Sequence, residues 1–483
     1  MPDYVTFLTV DFRLIGPEIA LLLASFVVML TAFTRRAHTI APVAAIIGLA
    51  VALALSIQQW NNQHSGFAGM VTSDNFGIIF RIIFSAGSLL SLLIAYKFLN
   101  VKRIDKPEFY ALLLVSTIGM MVMANTTNLI VMFLGLEIMS VPLYIMAALN
   151  RRSLESNEAG IKYFIMGAFA TAFLLMGIAF VFGAAESTDL RQISSDLSFI
   201  LARRGAYMLV GAALILIGFA FKVAAVPFHT WVPDVYQGAP TPITAFFSVG
   251  PKAAGFAVIL RIFNFGFADM EPLTDVFWVL AVLTMTVGNM LALRQNNIKR
   301  MLAYSSIAHA GYILVAVAVG GSDAISAAIF YLVAYTLFNL GAFAVISLLE
   351  TRTGTKSEFS ELTGLAKRHP YLAASLALFM FALSGFPPTI GFFGKFYIFS
   401  AAVKSGFIWL AVIGVLNSFV SVYYYLRVVK TSYFDEFEGQ FAPVALSPSI
   451  TIVILVTLAG TFGFGFFPEQ LLKLSQAAIF TFL

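Results

Sequence analysis

Five ionisable residues lie deep inside apolar stretches of the sequence, and their types and positions could support ion or proton chemistry. They are Glu137 in LGLEIMSVPLYI, Lys222 in GFAFKVAAVPF, Lys252 in SVGPKAAGF, His309 in YSSIAHAGYIL and Lys395 in GFFGKFYIF. A charged side chain at the centre of a bilayer costs on the order of a few kcal/mol, so such a residue usually marks an ion or proton path. The pattern therefore predicts transfer of ions or protons inside a membrane.

A buried lysine can act as a switch if a carboxylate can approach it and withdraw. Burial disfavours the charged form of both groups, and a facing opposite charge favours it again. Glu137 and Lys222 are the natural pair to supply this switch, while Lys252, His309 and Lys395 continue the line. A row of such sites can pass protons along the membrane plane, because each arriving proton changes the affinity of the next site.

Structural roles are the alternative for these residues. A buried Glu–Lys pair can be a clamp, Lys395 can extend its ammonium to a membrane interface, and His309 can be a packing histidine. These explanations must be invoked separately on several helices, whereas one pathway accounts for them together. The sequence therefore favours the pathway.

Four further ionisable residues lie nearer to the ends of apolar segments. We expect three of them to extend towards an interface or towards lipid, and we expect the fourth, Glu18, to make only a local contact. The three are Arg81, Lys162 and Arg261.

The composition indicates which elements must position these residues. The chain has 483 residues, of which 60% are hydrophobic and 11% charged, and its mean hydropathy is +0.91. Soluble domains have about a quarter of charged residues, so the sequence predicts an all-α polytopic membrane protein. About fourteen segments are long enough to span a bilayer. They lie near 14–34, 40–60, 76–99, 109–124, 127–149, 160–184, 206–226, 241–265, 274–294, 301–319, 323–350, 371–403, 406–431 and 447–467.

Two of these segments are interrupted by proline. The segment at 206–226 meets Pro227 and continues only briefly, to about residue 237, and the segment at 371–403 is broken at Pro387 and Pro388. Interrupted segments at corresponding positions of two halves indicate inverted repeats around a pathway. Lys222 precedes its break and Lys395 follows its own, as an inversion requires. We therefore expect two inverted repeats, each with one broken helix.

The basic residues of the loops predict the orientation of the chain. About 17 lie in alternate loops on one side and about 6 on the other, so the richer side is the cytoplasmic side. With an even number of spans, both termini then lie on the outer, periplasmic side. The loop at 186–204 is the exception, since it places three arginines on the outer face. The cytoplasmic set is Arg35, Arg36, Lys97, Lys102, Arg103, Lys106, Arg151, Arg152, Arg294, Lys299, Arg300, Arg352, Lys356, Lys367, Arg368, Arg427 and Lys430.

Several classes of function are excluded by composition. The chain has no cysteine, which excludes disulfides, cysteine-ligated iron–sulfur clusters and thiol catalysis within it. The histidines have no metal-ligand spacing, and no phosphate-binding or haem-binding pattern is present. A net charge of +5 in so apolar a chain is an orientation signal rather than a sign of nucleic-acid binding. The sequence therefore predicts no cofactor, metal or redox centre in this chain.

Four runs of the sequence resemble a known family. LGLEIMSVPLYIMAAL, FKVAAVPFHTWVPDVYQGAPTPITAFFSVGPKAAGF, KRMLAYSSIAHAGYIL and FALSGFPPTIGFFGKFYIF are similar to the antiporter-like membrane subunits of respiratory complex I. The VYQGAP run and Lys395 resemble the subunit N branch of that family. The D-type subunits of multi-subunit Na⁺/H⁺ antiporters and the ferredoxin-dependent relatives of complex I share this pattern and are the alternatives.

The resemblance implies a proton-translocating subunit in a bacterial cell membrane. It implies N-terminal helices at 1–105, one repeat of helices 4–8 at 106–268, an inverted repeat of helices 9–13 at 269–432, and a C-terminal helix with its tail at 433–483. Neighbouring membrane subunits, of the M type and the K-like type, would be its partners, and FMN, iron–sulfur clusters and quinone would lie in partner subunits.

The same resemblance assigns roles to the pathway residues. Glu137 would pair with Lys222, Lys252 would connect the two halves, His309 would be a polar link, and Lys395 would be the site on the exit side. A scaffold that joins neighbouring subunits is the alternative from another class, and in a scaffold the buried charges would be clamps.

Overall fold

The computed structural model describes residues 11–268, 270–351, 357–435 and 447–479, and these residues are mostly helical. Two of the loop residues that predict the cytoplasmic side, Arg352 and Lys356, lie outside the described ranges. A short antiparallel hairpin of β1 (His64–Gly66) and β2 (Val71–Ser73) interrupts the helices near the start of the chain. The mostly helical membrane fold that the sequence predicts is confirmed.

The helices follow one another along the chain with short connections. The first half contains α1 (Gly16–Thr31), α2 (Ala37–Gln58), α3 (Asn75–Lys102), α4 (Pro107–Ala124), α5 (Leu129–Ala147), α6 (Leu154–Ala185), α7 (Leu190–Val223), α8 (Trp231–Gly238) and α9 (Thr241–Arg261), which ends in a π-helical turn (Ile262–Gly266). The second half contains α10 (Glu271–Ala292), α11 (Ile298–Val319), α12 (Gly321–Glu350), a 3₁₀ turn (Phe359–Leu362), α13 (Leu365–Arg368), α14 (Pro370–Ser384), α15 (Ile390–Lys404), α16 (Ile408–Tyr433), α17 (Pro448–Phe466) and α18 (Pro468–Ala477).

Length and composition make twelve helices of the described residues candidate membrane spans. Helices α1 and α14 are apolar but shorter, with 16 and 15 residues. Every segment that the sequence predicts contains a helix, and the segment at 371–403 contains two, α14 and α15.

The prediction of a loop at 186–204 is wrong, because α7 already begins at Leu190 and continues for 34 residues, with non-helical backbone angles at Arg204. The non-helical angles at Arg204 divide α7 at a kink, so residues 190–203 form a helical stretch that is separate from the apolar part that follows. This part of the helix is amphipathic, and its polar face resembles a loop in the sequence. Its buried face consists of Leu190, Ile193, Leu197 and Ile200.

Both helix interruptions lie at the prolines that suggested them. Helix α7 ends before Ala224, which has a left-handed φ of 64°, and Pro227 lies between α7 and α8. Helix α14 ends before Gly385, which has a φ of 83°, and Pro387 and Pro388 lie between α14 and α15. A reversed φ ends a helix, and a proline in the following residues cannot continue it. Each interruption leaves helix-terminal backbone groups that side chains can contact.

Two helices form the centre of the bundle. Every residue of α9 is buried, and α12 is buried along most of its length. Helix α9 packs against α3, α4, α7 and α12. Because α9 has no face towards the surrounding lipid, a charged side chain on α9 must find its partners inside the protein.

Close packing of glycines holds the neighbouring helices. A Cβ atom on Gly119 of α4 would lie 2.3 Å from the backbone nitrogen of Met139 on α5. A Cβ atom on Gly177 of α6 would lie 2.7 Å from the backbone nitrogen of Ile215 on α7. Small residues let membrane helices approach closely where lipid provides no hydrophobic driving force. These contacts fix α5 against α4 and α7 against α6, and so position Glu137 and Lys222.

Candidate functional site

Lys222 lies in the last turn of α7 and its side chain turns towards α5. Its Nζ is 2.7 Å from the Oγ of Ser140 and 3.3 Å from the hydroxyl oxygen of Tyr144. The same ammonium lies over two aromatic rings, 5.2 Å from the centroid of Tyr144 and 5.5 Å from that of Tyr163. Hydroxyl oxygens and ring faces both attract a cation. Lys222 is thus held by neutral groups.

Glu137 does not form the direct ion pair with Lys222 that the sequence suggested. Its Oε1 accepts a hydrogen bond of 2.9 Å from the hydroxyl of Thr171 on α6. Among the described residues, no carboxylate oxygen lies within 4.0 Å of the Lys222 ammonium. Instead the ammonium binds Ser140, three residues after Glu137 on the same face of α5. The two groups therefore share one helix face but have separate partners.

Lys252 projects from the central helix α9 towards α11. Its Nζ donates to the backbone oxygen of Ser306 at 2.7 Å and contacts the Oγ of Ser306 at 3.0 Å. A Cβ atom on Gly255, three residues later on α9, would lie 3.6 Å from the Cβ of Lys222. The backbone of α9 thus passes beside Lys222 one turn away from Lys252.

His309 lies on α11, one turn after Ser306, between two tyrosines. Its Nδ1 is 2.6 Å from the hydroxyl of Tyr331 on α12, and its Nε2 is 2.9 Å from the hydroxyl of Tyr425 on α16. A neutral imidazole has one donor and one acceptor nitrogen, so one tyrosine accepts from the ring and the other donates to it. The Tyr425 hydroxyl also contacts the hydroxyl of Ser305. This arrangement can relay a proton between neighbouring hydroxyl groups.

Lys395 reaches back across the break between α14 and α15. Its Nζ donates to the backbone oxygens of Leu383 and Ser384 at 3.1 and 2.9 Å, and to the Oγ of Ser418 on α16 at 2.9 Å. The last carbonyls of a helix have no partner within the helix and form its negative end, which attracts a cation. The interruption of the helix therefore creates the binding site for the ammonium. Lys395 does not extend to an interface.

A cavity of about 810 Å³ lies beside Lys395, between α15 and α16. Apart from Lys395, Lys404 and three serines, its walls are apolar, and they include the exposed side chains of Phe396 and Phe419. Helix α16 has few buried residues on this side. The cavity thus approaches the ammonium from the outer surface of the bundle.

The three lysines and the histidine of the line are all buried. Their relative exposures are 4% for Lys222, 4% for Lys252, 1% for His309 and 5% for Lys395. In the described part of the chain, each has hydroxyl or backbone-carbonyl partners rather than a carboxylate. Burying an ammonium without a counter-ion is costly, and such a group can lower that cost by losing its proton. The arrangement is therefore suited to carrying protons.

Sequence reasoning missed the hydroxyl groups that bind these side chains. The spacing of serine on α5 and α11 was a signal, since Ser140 and Ser306 each lie three residues from the ionisable residue on the same helix. It was too weak to select them, because membrane helices often carry such residues at their contacts. The missed residues are Ser140, Tyr144, Thr171, Ser306, Tyr331, Ser418 and Tyr425.

Two arginines expected to face lipid or an interface are buried in ion pairs. Arg261, at the end of α9, donates to both carboxylate oxygens of Asp74 at 2.8 and 2.9 Å, and both side chains are fully buried. Arg81 on α3 donates to Glu18 on α1 through Nε and Nη2, at 2.9 and 2.7 Å. The expectation of lipid-facing arginines is wrong, because each guanidinium has an acidic partner on another part of the chain. These pairs join α3 to α9 and to α1.

Lys162 also has acidic partners instead of facing only lipid. Its Nζ is 2.7 Å from Asp234 on α8 and 2.6 Å from Glu158 on its own helix. Arg300 on α11 donates to the other oxygen of Asp234 at 2.7 Å. Burial by itself raises the pKa of Asp234, but the hydrogen bonds from Lys162 and Arg300 outweigh it and hold that pKa below its usual value. Asp234 thus connects α6, α8 and α11 where α8 follows the first break.

Comparison with known proteins shows which family this chain belongs to. Residues 126–421 match the family model described as NADH:quinone oxidoreductase/Mrp antiporter, TM. The NADH-quinone oxidoreductase subunit N of Trichlorobacter lovleyi is 45% identical over 476 residues, which cover 98% of each chain.

Solved structures agree with this fold. A chain in respiratory complex I from Thermus thermophilus with bound aureothin is 32% identical, with a TM-score of 0.82 over 95% of this chain and 99% of that one. A chain of the Mrp complex from Dietzia is 22% identical with a TM-score of 0.86 over 97% of this chain and 96% of that one, a likeness of fold alone. The chain therefore belongs to the antiporter-like family of NADH:quinone oxidoreductase membrane subunits, within the subunit N group.

Proposed function

We propose that this chain is a proton-translocating subunit in the membrane arm of an NADH:quinone oxidoreductase. Its pathway would run through Glu137, Lys222, Lys252, His309 and Lys395. The observation that carries the proposal is the set of buried lysines that, among the described residues, have neutral partners only. Such groups gain and lose protons readily when a nearby charge changes.

Electron transfer would take place in other subunits of the same complex. FMN, the iron–sulfur clusters and quinone would lie there, and neighbouring membrane subunits of the M type and the K-like type would contact this chain. Energy from electron transfer would reach Glu137 and Lys222 as an electrostatic or conformational signal. The relatives named NADH-quinone oxidoreductase support this assignment over sodium–proton exchange, since the likeness to the Mrp chain concerns the fold alone.

We also propose fourteen spans, with both termini on the periplasmic side. Helix α1 and the interrupted pair α14 and α15 would each add one span to the twelve candidates. Gln59, at the end of α2, donates to the carbonyl of Arg13, and Asn75, at the start of α3, donates to that of Ala477. Asn75 also donates to Asn61, just after α2, so both described ends lie at the same edge of the bundle. The loop charges make this the outer side. Residues 106–268 and 269–432 would be the inverted repeats, each with its interrupted helix, flanked by regions 1–105 and 433–483.

Substitutions at the first switch test this function. We expect Lys222→Ala and Glu137→Ala to reduce NADH-driven proton pumping at least about tenfold, as loss of a positioned proton-transfer group does. Pumping would be measured in vesicles that contain the whole complex, and native separation would show whether it assembles. Lys473→Ala is the matched control, because that lysine is exposed and pairs with Glu469 at the surface.

Two results would overturn the proposal. One is full pumping stoichiometry in both variants. The other is sodium-dependent proton flux in vesicles without NADH, which would indicate a secondary antiporter. Loss of assembly together with pumping would instead support the scaffold alternative, with the buried charges acting as clamps.

A further inference from the structure

The cavity beside Lys395 has the properties of a small-molecule site. Its volume of about 810 Å³ lies within the range of ligand pockets, which combine apolar walls with a few placed polar groups. Its walls include Phe386, Phe396 and Phe419, whose side chains are more than half exposed at the outer surface of the bundle. Helix α16, which forms one of the walls, is a candidate membrane span, so the cavity opens towards the hydrocarbon of the bilayer. A molecule that enters it must come from the membrane.

A buried amine lies at the inner end of this cavity. The Nζ of Lys395 contacts the backbone oxygens of Leu383 and Ser384 and the Oγ of Ser418, which are all neutral. Gly385 leaves the amine open to the cavity, since a Cβ atom at this position would lie only 3.3 Å from Nζ. In the described part of the chain, no carboxylate lines the cavity. The amine therefore meets the cavity without a counter-ion.

The hydroxyl of Ser418 offers a hydrogen to the same space. Its oxygen accepts from Lys395 at 2.9 Å, and its hydrogen has no acceptor among the residues that the structure describes. Ser418 also lines the cavity, so this hydrogen can point into it. A carboxylate oxygen can accept from a hydroxyl and from an ammonium at once. The inner end of the cavity is therefore suited to a carboxylate, and its walls are suited to a hydrocarbon chain.

We propose that this cavity binds a long-chain fatty acid from the membrane, with the carboxylate between Lys395 and Ser418 and the tail along the apolar walls. Burial disfavours a free carboxylate, so the acid enters with its proton. When Lys395 is a neutral amine, the O–H bond of the acid breaks and an N–H bond forms, which leaves a carboxylate beside an ammonium. The two charges then stabilise each other in the low-dielectric interior.

The selectivity of the site comes from its polar end. A hydrocarbon tail has similar apolar surroundings in the cavity and in the bilayer, so its transfer between them contributes little. The contact between charged groups contributes enough to favour the acid over its methyl ester by at least about tenfold, because the ester has no proton to give and stays neutral. If Lys395 carries protons as proposed above, the bound acid would also slow pumping by holding a proton on the amine.

Photo-cross-linking in the whole complex tests the site. The probe is palmitic acid with a photoreactive diazirine in its tail, and the methyl ester of the same probe is the comparison. The complex would be irradiated in lipid vesicles without NADH, and mass spectrometry would locate the cross-links. We expect the acid to label α15 and α16 around the cavity at least about ten times more than the ester. Unlabelled palmitic acid should compete with the probe.

Two results of this experiment would overturn the proposal. Equal labelling by the acid and the ester would show that any lipid tail fills the cavity. Absence of labelling would show that a neighbouring subunit covers it in the complex.

Two variants with matched controls locate the contacts. Leu416→Trp fills the cavity from α16 and should reduce labelling by the acid several-fold. Leu455→Trp is its control, because both leucines are 60% exposed but Leu455, on α17, does not line the cavity. Ser418→Ala removes the hydroxyl and should lower the preference for the acid several-fold, whereas Ser400→Ala, which changes a lining serine that does not bind Nζ, should keep it. Unchanged labelling of the Leu416→Trp variant would place the fatty acid outside the cavity and contradict the proposal.

The test of binding is independent of the test of the proposed function. Labelling is measured without electron transfer, so a failure of the fatty-acid site leaves the expected pumping results of Lys222→Ala and Glu137→Ala unchanged. Normal pumping by those two variants would remove the proposed function, while the fatty-acid site would still be decided by the cross-links.

Discussion

His309 and the hydroxyl groups of two tyrosines form a chain of hydrogen bonds at the centre of the second half. His309 has a tyrosine on each ring nitrogen, and the Tyr425 hydroxyl bridges it to Ser305. Because Ser306 binds Lys252 and lies one turn from His309, the contacts of the central lysine and of the histidine meet on α11. A hydroxyl group in such a chain can accept one proton while it donates another, whereas a hydrocarbon side chain can do neither.

Replacement of Tyr425 by phenylalanine should break this relay. We expect Tyr425→Phe to lower NADH-driven proton pumping at least about tenfold while the ring continues to fill its place in the core. Tyr110→Phe is the matched control, since the buried Tyr110 hydroxyl donates to Asp105 and does not contact His309. Proton release per NADH oxidised would be measured for both. Pumping by the Tyr425→Phe variant at the rate of the unchanged chain would remove Tyr425 from the pathway.

The sequence could name the ionisable residues, yet it could not name their partners. Lys222 and Glu137 stand out because a charge is rare in an apolar run. Whether they touch depends on which rotamer the lysine adopts and on how α7 faces α5, and the structure places the ammonium on Ser140. Sequence periodicity identifies a helix but does not define which helices face each other. The arginine pairs were missed for this reason, because Asp74 and Arg261 are far apart in the chain.

At the scale of the elements, α8 is held where it follows the first interruption. Asp234 receives Lys162 from α6 and Arg300 from α11. Trp231, at the start of α8, donates from its Nε1 to the backbone oxygen of Phe221 on α7 at 3.1 Å. The end of α7, where Lys222 lies, is therefore connected to α8 and through it to two further helices.

The pH dependence of this clamp follows from the lowered pKa of Asp234. A carboxyl group whose pKa is lower in the folded state contributes stability above its unfolded value, near 3.9, and loses it as the pH falls through the folded value. The clamp should therefore be intact from pH 6 to pH 8. Asp234→Asn should destabilise the chain at pH 7, by about 1 kcal/mol or less for each partly exposed pair.

Thermal inactivation of the complex between pH 3 and pH 8 would measure this effect. The difference between the Asp234→Asn variant and the unchanged chain should be constant at neutral pH and should shrink below about pH 4, where the Asp234 carboxylate takes up its proton. Asp323→Asn serves as the control, because its pair with Lys404 is exposed on both sides and should contribute little. A difference that grows as the pH falls would contradict the assignment.

The interrupted helices were the elements that the sequence predicted best. Proline removes a backbone donor and glycine permits a positive φ, so their effect is local and visible in the sequence. Gly385, Pro387 and Pro388 lie where α14 ends. The start of α7 was missed because its apolar residues recur with helical spacing among polar ones, and a short amphipathic helix with serines and charges resembles a loop.

For the whole molecule, the cysteine-free sequence allows a direct test of orientation. Single cysteines can be introduced without replacing any native one. Lys473 on α18 is exposed and lies near the described end of the chain, whereas Arg35, between α1 and α2, and Lys106, between α3 and α4, are exposed in loops of the predicted cytoplasmic set. The structure shows which residues lie at the same edge of the bundle. The loop charges then predict whether that edge faces the cytoplasm or the periplasm.

We expect Lys473→Cys to react with a membrane-impermeant maleimide in intact spheroplasts, and Arg35→Cys and Lys106→Cys to react only in inverted vesicles. The physical reason is the excess of loop arginines and lysines, which are retained on the cytoplasmic side during insertion. NADH oxidation in each preparation would verify that the complex is assembled and which face is accessible. Labelling of Lys473→Cys only in inverted vesicles would show that the orientation is opposite to the predicted one. The side proposed for proton release from Lys395 would then be the opposite one, while the hydrogen bonds along the proposed pathway would be unchanged.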